Sequence, residues 1–504
     1  MDTDTLHAPA TEAAATEARP AEAQPAAPLQ PAHLQTGDVI DGFRLEEKLH
    51  TGGMAHIWRV TLTEGAQAPE GTEALPLVMK VPRFKGGEDP ATIVGFEVEQ
   101  MILPVLAGPH VPRYVARGDF TRLPYIVMEQ IQGPSLRPRL DAAPLPLDEL
   151  VEIGSRVATA LHELHRQHLV HLDVKPSNIM FRANGTAVLV DFGLSRHDQL
   201  PDLLEEEFRL PMGTGPYMSP EQVQFVRNDP RSDLFALGVM LYHLCTGQRP
   251  FGSPESVRGL RKRLYQDPVP PRRLREDCPP WLQEIILKCL EVQPARRWGS
   301  AAQLALALQH PGQVKLTERA ARLARAPWRT RMKRWFKALG AEPPAAPEQA
   351  VAAQVSRSPI VMAAVDVEHA EAGLLEELRE HVRRIVTTEP GSRLACVSVM
   401  KTARLGMDEL VDDEGRSVHV RQLVELKHWA RPLEQVLELD DGRITFHVLE
   451  APDAASAIVE FAERNGVDHI AMGARGNAAL RRYLGSVSAQ VVAQAPCSVT
   501  VVRR

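Results

Sequence analysis

His171-Leu172-Asp173-Val174-Lys175-Pro176-Ser177-Asn178 is the stretch on which the reading of this chain turns, and Asp191-Phe192-Gly193 follows it, thirteen residues after Asn178. These residues supply a carboxylate to orient a hydroxyl, a lysine to meet a moving phosphate, and an Asn and an Asp whose oxygens suit a hard divalent cation. Together they are the parts that phosphoryl transfer from ATP requires.

Working outward, the segment before this stretch is rich in strand signals. Phe43, Leu45 and Leu49 alternate, a Gly-containing turn follows at Gly52-Gly53, and Leu75 to Val81 forms a further strand carrying Val78-Met79-Lys80. A helix is expected around Ile93 to Leu106, and strands near Tyr114 to Asp119 and Tyr125 to Glu129. The segment after it is helical, with amphipathic periods at 147–167, 232–246, 280–291 and 300–309.

These motifs, in this order, resemble the eukaryotic-like Ser/Thr protein kinase family over roughly residues 38–312. The resemblance implies an α+β bilobal fold, with an N-lobe of about 38–130 and a C-lobe of about 131–312. It implies ATP and Mg2+ as cofactors and protein Ser/Thr hydroxyls as substrates. Asp173 would be the catalytic carboxylate, Lys175 would steady the γ-phosphate, and Asn178 and Asp191 would hold magnesium. Lys80 would bind the α- and β-phosphates with Glu99 as its helix partner, Glu97 being the alternative. Met128, Glu129 and Ile131 would receive adenine. His50, Gly52, Gly53, Ala55 and Ile57 would form the loop over the phosphates. Thr214 would touch the substrate site, Glu221 and Arg297 would form a buried ion pair, and Asp233 would brace the catalytic loop.

The chain departs from the family at two places. In the loop, His50 and Ala55 stand where the pattern has glycine, which restricts φ and holds backbone amides back from phosphate. Leu172 stands where an arginine usually pairs with a phosphate on the activation segment, and leucine cannot make that pair. Activity independent of activation-segment phosphorylation is therefore expected. Glu205-Glu206-Glu207 reads as a solvated acidic turn, or as charge standing in for a phosphate.

Residues 313–355 read as a basic helical linker, with arginines and lysines from Arg319 to Lys337 and with Trp328, Trp335 and Phe336 packed on a neighbour. Contact with anionic lipid is the sharper alternative. From residue 356 to 504 strands alternate with helices, which implies a parallel sheet covered on both faces. Here Gly473-Ala474-Arg475-Gly476 followed by Gly485-Ser486 resembles the universal stress protein family, an α/β doubly wound, Rossmann-like fold. The resemblance implies a second nucleotide held by Asp366, Gly473, Gly476, Gly485 and Ser486. The gap between the second and third glycines is one residue short of the ATP-binding pattern, so a dimerisation or docking module, with a homodimer through this domain, stands as the other reading.

Composition excludes little else. A net charge of -6 over 504 residues gives no reason to expect nucleic acid. Five scattered cysteines without a CxxC pair argue for a reducing compartment and against a zinc site. No apolar run spans a membrane and no secretory signal is visible, so a cytoplasmic location is expected. The Ala/Pro-rich residues 1–37 read as a disordered tail. A kinase regulated by a nucleotide- or stress-sensing C-terminal domain is the first functional reading. A weakly active pseudokinase scaffold that binds nucleotide and partner proteins is the second.

Overall fold

The computed structural model describes residues 34–503 except 53–54, 67–68, 70, 73, 84–89, 340–357, 403–416, 440–441 and 475–484. The tail reading of 1–37 therefore falls almost wholly outside the described residues. Gly37 is already engaged, its N–H donating to the Leu45 carbonyl at 2.7 Å.

A six-stranded antiparallel sheet opens the fold, in the order Val39–Ile40, Phe43–Thr51, Ala55–Leu62, Leu77–Pro82, Tyr125–Glu129, Tyr114–Gly118. Two-residue alternation decides its faces. Leu45, Trp58, Val60, Met79, Val81 and Val127 close one small core. Val78, Ile126 and Met128 point the other way, onto the helix Pro90–Ile102. Lys80, two residues after Val78, shares that second face.

The second lobe is built on the helices Leu147–Arg166, Arg231–Thr246, Pro280–Cys289 and Ala301–Gln309. Their apolar faces fill one core that includes Leu161, Leu241, Ile286 and Leu304. Each such side chain withdrawn from water contributes about 1.5–3 kcal/mol before entropy is counted. Two small antiparallel pairs hold the stretch between them. Ile179–Phe181 pairs with Ala187–Leu189, and Leu169–Val170 pairs with Arg196–His197. The architecture is the bilobal α+β fold that the sequence implied.

The expected single basic helix is two helices, Glu318–Ala321 and Trp328–Leu339. Pro327 sits between them, where a helix interior would lack a donor. The first is anchored on the helix Pro280–Cys289, with Arg319 paired to Glu284 and to Glu291, both at 2.9 Å. In the second, Trp335 and Phe336 are exposed rather than packed on a neighbour.

The C-terminal domain is a five-stranded, all-parallel sheet in the order Ile444–Ala451, Arg393–Lys401, Ile360–Ala364, His469–Gly473, Ser498–Val502. Helices Ala372–Thr388 and Val418–Leu437 bury Leu378, Val382, Leu426 and Trp429 on one face. Helices Ala454–Asn465 and Ser486–Gln494 bury Ile458, Phe461 and Val491 on the other. This is the doubly wound sheet expected from the alternation of elements. No helix among the described residues is long and apolar enough to cross a membrane.

Candidate active site

The strand alternation that turns Val78 inward aims Lys80 into the cleft between the lobes. Its Nζ lies 2.5 Å from Glu99 Oε2 and 2.8 Å from Asp191 Oδ1. Glu97 pairs elsewhere, with Lys427 at 2.7 Å. On a helix, residues two apart point roughly 200° from one another, so only one of the two glutamates can face the cleft. Burial pulls the Lys80 ammonium down, but Asp191 and Glu99 outweigh it and hold it above its ordinary value. Burial pushes the Glu99 carboxyl up. The Asp191 carboxyl, against its own burial, is drawn down by Lys80.

Asp173 sits at the centre of a second cluster. Its Oδ2 accepts from Lys175 Nζ at 2.6 Å, and its Oδ1 accepts from the Thr214 hydroxyl at 2.6 Å and the Thr214 N–H at 2.9 Å. Asn178 Nδ2 donates to the Asp173 carbonyl at 3.1 Å and to its Oδ2 at 3.3 Å.

The loop that carries Asp173 needs bracing, because Leu172 takes a left-handed φ of 62° that a side chain disfavours. Asp233 supplies the brace: Oδ2 accepts the His171 N–H and Oδ1 the Leu172 N–H, both at 2.9 Å. His165 Nε2 lies 2.9 Å from the same Oδ2. Gln222 then ties the loop to the activation segment, donating to the Leu172 carbonyl at 2.7 Å and the Met212 carbonyl at 3.0 Å. Glu221 and Arg297 form a pair that is 0 % exposed on both sides, at 2.5 and 2.7 Å.

The donor set fits magnesium. Asn178 spends its amide nitrogen on Asp173; its Oδ1 accepts the Ser177 hydroxyl at 3.2 Å and keeps a second lone pair for a cation, and Asp191 offers a carboxylate open to the cleft. No group of three or more His, Cys, Asp or Glu gathers for a metal among the described residues. Two hard oxygens without a protein cage match a cation that takes its other ligands from phosphate and water.

The remaining nucleotide candidates lie on the strands above. His50 is paired with Ile57 across the first hairpin, and the Gly52 N–H donates to the Ala55 carbonyl at 3.0 Å. Gly53 lies outside the described residues. Met128 is buried, Ile131 is buried beside it, and the Glu129 carboxylate is held by Arg182, at 2.9 Å from Nη2. The Glu129 N–H is committed to the Arg113 carbonyl.

In the C-terminal domain a cavity of about 640 Å3 is lined by Asp366, Gly473, Gly485 and Ser486 among others. It opens at the carboxyl ends of Ile360–Ala364 and His469–Gly473, where the strand order reverses, the usual ligand position in such sheets. Gly476 lies outside the described residues.

Two contributors escaped the sequence reading. Arg263, buried, donates to the Gly215 carbonyl at 2.7 Å and to the Met218 carbonyl, holding the end of the activation segment. Burial without a carboxylate pulls its guanidinium down to about 10. The second is the acidic run 205–207, in which Glu205 stays exposed as a solvated turn would have it but Glu206 and Glu207 do not. Asp202 caps a short helix, Leu203–Glu207, by accepting the Glu205 N–H, and Glu206 and Glu207 are turned into the C-terminal domain.

A protein kinase domain model matches residues 95–311, and a universal stress protein family model matches residues 359–503. A probable serine/threonine-protein kinase of Clostridium perfringens is 30% identical over 222 residues, 44% of this chain and 32% of that protein. Serine/threonine-protein kinase PknB of Mycolicibacterium smegmatis is 31% identical over 291 residues, 56% of this chain and 44% of that protein. Its counterpart in Mycobacterium leprae is 32% identical over 233 residues, 45% and 37% respectively. The chain thus spans less than half the length of each of these relatives.

Proposed function

We propose that the chain, whose residues 95–311 match a protein kinase domain and 359–503 a universal stress protein domain, is a PknB-like serine/threonine kinase that transfers the γ-phosphoryl group of ATP to protein Ser/Thr hydroxyls under control of the C-terminal domain. The observation that carries this is the Lys80 ammonium bridging Glu99 and Asp191, with Asp173 and Lys175 paired alongside.

Asp173 orients the incoming hydroxyl and accepts its proton. Its carboxylate already takes a hydroxyl hydrogen bond, from Thr214, at 2.6 Å. Lys175, held 2.6 Å from Asp173, meets the transferring phosphate and balances the carboxylate. Lys80 is kept fully charged for the other phosphates by its two acidic neighbours. Asn178 and Asp191 would hold magnesium, which supplies charge neutralisation on the phosphates when bound. The Asp233 and Gln222 hydrogen bonds fix the loop without any arginine at position 172.

The C-terminal cavity, with Asp366, Gly473, Gly485 and Ser486, is the proposed site of a second nucleotide. Two elements run from it toward the kinase domain. Strand Arg393–Lys401 lines the cavity with Val399 and Lys401 and starts at Arg393 on Glu206. Helix Ala454–Asn465 lines it with Ala454 and Ile458 and ends at Arg464 beside Glu207.

Radiolabelled ATP with magnesium and a protein acceptor tests the reaction. Transfer by the full chain, absent in Asp173→Ala, supports it, and equal background in both favours the pseudokinase scaffold. For the second site, in a Lys80→Met background the remaining ATP binding should fall with Asp366→Ala. Unchanged binding would count against a nucleotide there.

A further inference from the structure

Helix Leu203–Glu207 lies between Asp191 and Thr214, in the segment that presents the substrate site. Its acidic end is gripped by the C-terminal domain. Glu206 accepts from Arg393 Nη1 at 2.6 Å and Nη2 at 2.9 Å, and its Oε2 is 3.3 Å from His447 Nε2. Glu207 Oε1 is 2.8 Å from His447 Nδ1. Arg464 Nη1 donates to the Glu206 and Glu207 carbonyls at 3.3 and 3.4 Å. His447 is fully buried, and its Nε2 also meets the Thr445 hydroxyl at 3.0 Å.

The same short helix packs on Pro90–Ile102, the helix that carries Glu99. That longer helix is also held from behind, by the Glu97–Lys427 pair. Because Glu97 and Glu99 point to nearly opposite sides, a hold on Glu97 from the C-terminal domain sets how far Glu99 reaches toward Lys80.

The charges divide by domain. Glu97, Glu206 and Glu207 belong to two touching elements of the kinase domain, while the cations paired to them, Lys427, Arg393 and His447, belong to the C-terminal domain. Without those cations, the adjacent Glu206 and Glu207 carboxylates would be left uncompensated, and Glu207 would meet the like charge of Glu97 across the contact between the activation segment and the Glu99 helix. Like charges at short range drive such elements apart.

We propose that this surface is an activating intramolecular dock: the C-terminal domain neutralises the acidic faces of the activation segment and of the Glu99 helix, and so holds the Lys80–Glu99 pair closed. Arg393, His447 and Lys427 are positioning residues and touch neither phosphate nor substrate. The dock does, from another domain, what a cation on the catalytic loop cannot do with Leu172 in place. The inference rests on the kinase reading above and adds the side from which the catalytic cluster is assembled.

The test uses the full chain, with Glu206→Arg, Arg393→Glu and the double exchange. Each single variant should lower kcat/KM about tenfold, within the usual range of coupling between two sites. Each should also speed hydrogen exchange of the amides of residues 203–207, and the double exchange should restore both. Single variants with wild-type or higher activity and unchanged exchange would overturn the proposal. Should Arg393→Glu fail to fold, His447→Gln keeps the shape and removes the charge; it should speed the same exchange, and unchanged protection would overturn the dock. Running Asp173→Ala alongside separates the two claims. A wild type no better than Asp173→Ala would sink the kinase reading, while the exchange data still decide the dock.

Discussion

Gly95 and Gly193 meet backbone to backbone: a Cβ built on Gly95 would lie 2.9 Å from the Gly193 carbonyl oxygen, and one on Gly193 would lie 3.0 Å from that of Gly95. The helix carrying Glu99 therefore rests directly on the residues that follow Asp191. Two side chains of the Lys80 cluster are set by one close contact.

Gly95→Ala separates packing from propensity. Alanine in a helix interior is worth about 1 kcal/mol over glycine. The added methyl meets a carbonyl that can move only with the Asp191 backbone, and overpacking costs about 1–3 kcal/mol. We expect the clash to win: a lower melting temperature and a severalfold loss of kcat, as the helix shifts and the Lys80–Glu99 pair opens. A more stable, fully active variant would show that the contact yields.

Arg297→Met tests the buried pair with Glu221. Both side chains are 0 % exposed, so removing the arginine leaves an uncompensated buried carboxylate. Breaking such a pair costs about 3–5 kcal/mol. Thermal unfolding should show a drop of roughly 6–20 °C for a domain of this size.

The dock should weaken in alkali. Burial pulls His447 down, but Glu206 and Glu207 outweigh it and hold the imidazole up at about 9. The Glu206 carboxyl, against its burial, is pulled down to about 2 by His447 and Arg393, while burial pushes Glu207 up. A folded value above the ordinary one of about 6.5 gives stability that is complete below that pH and lost as pH rises through about 9. The melting-temperature gap between wild type and His447→Gln should be widest near pH 6 and close near pH 10. A gap that widens with pH would reverse the assignment.

Phosphatase treatment should leave activity intact. Ser195 is buried, with its hydroxyl bonded to the His171 carbonyl at 3.1 Å, and the Thr214 hydroxyl is bonded to Asp173. Neither is placed to carry a phosphate in this arrangement, and Leu172 offers no charge to pair with one. Loss of activity on dephosphorylation, with mass spectrometry finding the lost phosphate at Thr214 or Ser195, would contradict this.

The catalytic cluster was legible because its chemistry is local. Asp173, Lys175 and Asn178 lie within one short stretch, and Lys80 and Asp191 each sit in a recognisable setting of their own. The choice between Glu97 and Glu99 was not fully legible, since both fit the helix and only the third dimension shows which faces Lys80. The doubly wound C-terminal sheet followed from strand and helix alternation. The dock did not, because its ion pairs join residues from 187 to 330 positions apart. A run of three glutamates is usually a solvated face, and nothing near it in sequence names a buried histidine. The exposed Trp335 and Phe336 were misread for the same reason: an aromatic in a basic helix carries no record of whether a neighbour covers it.

The most direct measurement is transfer of label from γ-labelled ATP to a Ser/Thr-containing protein, in the presence of magnesium, by the full chain and by Asp173→Ala. A positioned carboxylate that takes the hydroxyl proton is worth roughly 10²–10⁴ in rate. The wild type should exceed the variant by at least the lower figure, with nucleotide binding to the kinase domain unchanged. Equal rates for the two proteins would contradict the assignment of Asp173, and with it the reading of the cleft as a phosphotransfer site.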